Sequence, residues 1–68
     1  MDLKEVLFHR TQEEFRRYCE MIKLRLYTDE ELERQRERFA ANFQVIEDAE
    51  IEEEYREWKK KNIPELQD

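Results

Sequence analysis

From Thr11 onward, Phe15, Tyr18, Cys19, Ile22 and Leu26 follow one another at spacings of three and four. That is one continuous apolar stripe on an amphipathic helix. The opposite side carries Glu13, Arg17 and Glu20, with Glu13 and Arg17 set as an i,i+4 pair. After Thr28, a second face is formed by Leu32, Phe39, Phe43 and Ile46, at spacings of seven, four and three, with Glu30 and Arg34 on the polar side. At "IEDAEI" the pattern changes. Ile51, Tyr55 and Trp58 lie on a face rotated by roughly 120° from the preceding stripe, at ~100° per residue. A bend, a third helix capped by Asp48, or one long helix serving two neighbours each accounts for that rotation.

Three stretches open with the same start signal: "DLKE" (2–5), "TQEE" (11–14) and "TDEE" (28–31). Each sets a capping side chain three residues before a glutamate, the pattern of a reciprocal capping box. At the third, Tyr27 and Leu32 also hold the positions of a hydrophobic staple. Lys59, Lys60 and Lys61 suit the negative end of a helix, and Pro64 stops its continuation. The expectation is therefore helices over 11–27, 28–47 and 48–61, a short N-terminal helix over 3–9, and a tail over 62–68. With no loop residues between them, the first two main helices must meet in a tight corner.

The fold expectation is all-α, a small helical hairpin or three-helix unit forming one domain over 1–61. Its rival is an α+β unit with short strands near 4–9 and 43–47, where β-branched and aromatic residues gather. Size then adds a constraint. A chain of 68 residues buries too little apolar surface to be more than marginally stable without help. One cysteine and one histidine exclude an intrachain disulfide and a four-ligand zinc site of nitrogen and sulfur. Oligomerisation is the remaining aid, so a homodimer is expected.

Composition removes most chemistry. The chain has no glycine and no serine, which excludes the phosphate-binding loop, the dinucleotide-binding turn, the EF-hand loop and the commonest hydroxyl nucleophile. Cys19 sits inside an apolar stripe with no base placed to activate it, and reads as a structural thiol. His9 reads as a surface or cap-side histidine. No catalytic, cofactor-binding or metal-ligating residue is expected, and no enzyme. The lone thiol and the lack of a leader-like or membrane-spanning run give a soluble, cytoplasmic expectation.

Charge makes up 47% of the chain and nets to −6. The densest run of acid is in "EDAEIEEEYREWKKK" (47–61), which holds seven of the 19 acids, and there acids precede lysines. That order suits a helix dipole, and Glu52–Arg56 and Glu57–Lys61 are well-oriented pairs. A convex acidic helix face offers too few oxygens at once for calcium. The displaced stripe on the same segment is the better candidate for contact, since aromatics dominate binding hot spots.

The functional expectation is a non-enzymatic interaction module, a small adaptor, regulator or antagonist of a larger protein. Ile51, Tyr55 and Trp58 would be its anchors, with Glu54 and Glu57 at the rim. One alternative is a small DNA-binding regulator using Arg34, Arg36 and Arg38, although Asp29, Glu30 and Glu31 at the start of that helix would face phosphates. Another is an acidic helix, through Glu50, Glu53 and Glu54, occupying a basic groove on a nucleic-acid enzyme.

Overall fold

A computed structural model describes residues 2–63. It contains three helices, α1 (Leu3–Leu24), α2 (Asp29–Asp48) and α3 (Glu52–Asn62), and no strand among the described residues. The chain is all-α. Both segments of the strand alternative are helical: 4–9 lies inside α1 and 43–47 inside α2. Their apolar residues keep the 3.6 period of the helices around them, and that continuity outweighs β-propensity in a short run.

The first helix differs from expectation at both ends. Asp2 caps it, its carboxylate accepting the Glu5 amide at 2.9 Å. It then runs through Thr11 without a break. Thr11 is no N-cap. Its hydroxyl donates to the Leu7 carbonyl at 2.8 Å, and the residue is fully buried. A threonine can cap a helix or bond back one turn within it. With helix-compatible residues on both sides and nothing to break the run, the second use prevails. The helix ends three residues before Tyr27, at Leu24, because Arg25 turns left-handed (φ 54, ψ 29) and its amide bonds the Met21 carbonyl at 3.3 Å.

The α2 start is the capping box that the sequence announces. Thr28 Oγ1 accepts the Glu31 amide at 3.2 Å, while Glu31 Oε1 accepts the Thr28 amide at 3.0 Å. Its end explains the rotated stripe. Ile51 N–H bonds the Ile46 carbonyl at 3.2 Å and Glu50 N–H bonds the Glu47 carbonyl at 3.0 Å, with Glu50 left-handed at φ 57. This is a Schellman stop, and Ile51 packs on the cluster containing Ile46, as that motif favours. Asp48 is thus the last residue of α2 and caps nothing; it accepts from Gln44 Nε2 at 2.9 Å. Ile51, with no side-chain cap bond, precedes α3. Asn62 belongs to α3 and Ile63 is buried, so neither is tail; Pro64 and the rest of 62–68 lie outside the described residues.

α1 and α2 form an antiparallel hairpin, with Phe15 against Phe39 (centroids 5.2 Å). Buried Gln35 fixes the register by donating to the Glu14 carbonyl at 2.9 Å and its carboxylate at 2.7 Å. α3 then folds back over the open end of the hairpin, where the start of α1 meets the end of α2. Glu54 meets Lys4 at 2.9 Å, Trp58 packs on Phe8 and His9, and Lys59 stands beside Phe15 and Phe39. It therefore advances along α1 from its first turn to about its middle. The core lies beneath it: Phe8, Ile46 and Tyr55, with Leu7, Phe43, Ile51 and Trp58 packed around them.

Candidate interaction surface

The sequence-predicted contact residues do come together, but inward. Tyr55 is 3% exposed. Its ring lies 5.2 Å from Phe8 and 6.2 Å from both Phe43 and Trp58. Its hydroxyl donates to Gln12 Oε1 at 3.2 Å inside the fold. Burial pushes this phenol up to about 12. Ile51 and Trp58 are partly buried against the same cluster, and Trp58 packs at a tilt on Phe8 and meets His9 edge-on at 4.8 Å. The assignment of Ile51, Tyr55 and Trp58 as partner anchors is corrected on these grounds. Their stripe is out of line with α2 because it faces α1 across the core.

The acidic rim is partly spoken for as well. Glu54 is paired with Lys4, which raises the lysine through their hydrogen bond. Glu57 pairs with Lys60 at 3.5 Å, one position short of the expected Lys61. On α2, Glu33 pairs with Arg36 through two contacts, which lowers the carboxylate. Arg34 and Arg36 point about 200° apart around the helix, so Arg34, Arg36 and Arg38 form no single basic stripe. Cys19 is a half-buried free thiol. Among the described residues, no helix is long and apolar enough to cross a membrane, and no group of three acidic, histidine or cysteine side chains is set to hold a metal ion.

The surface that does stand open lies elsewhere on α1. The stripe Phe8, Gln12, Phe15, Cys19 and Ile22 is one continuous face of α1, and Leu26 follows just past the left-handed Arg25 that ends the helix. α3 roofs its first half: Phe8 is 3% and Gln12 6% exposed. Among the described residues, the roof ends with Lys59 and Ile63, beside Gln12 and Phe15. Phe15 is 36%, Ile22 47% and Leu26 80% exposed. Length explains it. The 22-residue α1 is ~33 Å long and the 11-residue α3 ~16 Å, so one cannot cover the other. Where the roof ends, Gln12, Phe15, Phe39, Phe43, Tyr55 and Lys59 enclose a cleft of about 200 Å³.

Sequence reasoning identified the stripe from Phe15 to Leu26 as the apolar face of an amphipathic helix and placed the contact surface on the third segment instead. The available signal was a mismatch: an apolar stripe running from Phe8 to Leu26 opposite a third segment of half its length. Other exposed apolar residues, such as Leu24 and Val45, stand on the far side of the hairpin as scattered positions of the ordinary kind.

The chain matches no family model, no curated protein and no solved structure.

Proposed function

We propose that this chain is a non-enzymatic protein–protein interaction module, a small adaptor, regulator or antagonist, whose contact surface is the unroofed half of the α1–α2 hairpin. One observation carries the reading. A single amphipathic stripe is roofed by a helix over half its length and left bare over the rest. Large apolar residues lined up on one face favour association. The lack of glycine and serine, and of the catalytic motifs built on them, supports the same reading.

Aspartate at both Ile22 and Leu26 tests it. Both side chains are outside the core, so the double variant should keep its helicity and melting temperature. Wild-type chain should assemble with itself or retain other proteins in affinity capture, and the folded double variant should do neither. Equal assembly and equal capture by the two proteins would refute the surface.

A further inference from the structure

The molecule has the form of a step. Its tread is the bare half of the hairpin, its riser is the last turn of α3, and its tip is the α1–α2 corner. Each part carries its own charge. The riser holds Lys59 at its foot, in the cleft beside Phe15 and Phe39, with its ammonium 4.6 Å from the Tyr55 ring centroid; Lys60 pairs with Glu57, and Lys61 lies on the other side of α3, in the groove with Asp2 and Glu5. The tip opens α2 with Asp29 and Glu30, both exposed.

We propose that a second copy of this chain occupies the tread. The two treads pack face to face and antiparallel about a two-fold axis, like a lap joint, and each tip abuts the partner's riser. This rests on the reading of the tread as the contact surface, and adds which chain fills it.

Charge complementarity selects this arrangement. An antiparallel overlap brings the acidic tip of each copy to Lys59 of the other, and does so twice. A parallel overlap would instead place riser against riser and lysine against lysine. It would also force two α3 helices into the space of one. Only the antiparallel joint uses the step itself as shape complementarity.

Area agrees. The chain exposes 5666 Å², roughly 900 Å² more than a compact monomer of its length should. One partner's share of a standard interface is about 800 Å². A closed two-fold is also the commonest way for a surface to satisfy itself without forming open filaments.

The experiment uses two charge variants of the full chain, Lys59→Glu and the double Asp29→Lys/Glu30→Lys, each checked for helicity. Masses are followed by light scattering or sedimentation at low salt. Wild type should be a dimer that dissociates on dilution. Each variant alone opposes like charges at both contacts, and should dimerise about tenfold more weakly or worse. Mixed together, they restore both contacts, and the mixture should regain the dimer as a heterodimer. A wild-type monomer at about 1 mM, or a mixture no more associated than its components, overturns the joint. So does a dimer that survives Ile22→Asp. If the wild type stays monomeric yet retains another protein in a manner abolished by Ile22→Asp, the second copy is refuted while the tread remains the contact surface.

Discussion

Tyr55 shows what one side chain decides here. It closes the core from α3, and its hydroxyl reaches across to Gln12 at 3.2 Å. Tyr55→Phe removes that bond and strands the Gln12 carbonyl in a buried site, which should cost about 1–2 kcal/mol in denaturant unfolding. Tyr55→Ala removes the ring as well and should cost ~3–5 kcal/mol, enough to unfold most of so small a protein. Its titration provides an independent check. Burial raises this phenol from 10.0 to about 12, so the folded state prefers the neutral form. The resulting stability is complete below pH 10 and is lost as pH rises through about 12. Phenolate absorbance should therefore show a tyrosine that ionises well above pH 10 and vanishes from the Tyr55→Phe spectrum. If every tyrosine titrated at the ordinary value in folded protein, the buried geometry of Tyr55 would be wrong.

At the scale of the helices, two identical-looking threonines separate what can be read from sequence and what cannot. "TDEE" and "TQEE" carry the same letters at the capping positions. Thr28 follows a left-handed Arg25 and a corner, so its capping box forms in both directions. Thr11 follows eight helical residues, so its hydroxyl serves the Leu7 carbonyl instead. The motif is local, but whether the preceding turn is already helical depends on Phe8 finding Tyr55 and Trp58 across the core. That contact is tertiary, and no window of sequence contains it. Thr28→Ala should cost about 1 kcal/mol, whereas Thr11→Val should change stability by less, because only a back-bond to an already helical carbonyl is lost. Equal costs would mean that Thr11 caps a helix after all. The Glu31 carboxyl is held below its ordinary value chiefly by the Thr28 amide. Its contribution is thus present above the unfolded carboxylate range and is lost as pH falls through the lowered value. Glu31→Gln, which removes the titrating group itself, should accordingly flatten the acid limb of the stability profile.

The turn into α3 follows the same logic from the other direction. The rotated stripe of Ile51, Tyr55 and Trp58 revealed that the helix must break or bend near Asp48, because a straight helix cannot face two ways with one period. It did not reveal the means, which is a left-handed Glu50 in a chain without glycine. A β-carbon in that conformation is unfavourable by roughly 1–2 kcal/mol, partly offset by the greater freedom glycine has when unfolded. Glu50→Gly should therefore stabilise by about 0.5–1 kcal/mol, a rise of several degrees in melting temperature for a domain of this size. A fall would show that Glu50 contributes more through its side chain than it loses through its backbone.

For the whole molecule, the deciding quantity is how little core there is. Among the described residues, Phe8, Met21, Ile46, Tyr55 and Ile63 are the buried apolar side chains, and α3 is half as long as the hairpin it roofs. A radius of gyration of 12.8 Å, against about 11 Å for a compact domain of this length, expresses the same shortfall as shape. Part of the candidate surface was legible in sequence, since the stripe from Phe15 to Leu26 is plain. Which half stays bare was not, because that depends on where α3 lands. If a second copy supplies the missing cover, association and folding are linked, and folded dimer gains stability with concentration. The wild-type melting temperature should then climb as protein concentration is raised over about two decades, in proportion to its logarithm. For Ile22→Asp it should stay constant, near the wild-type value at high dilution. A wild-type melting temperature independent of concentration would mean that the hairpin and its half-roof are stable alone, and that the bare half of α1 adds nothing to the stability of this fold.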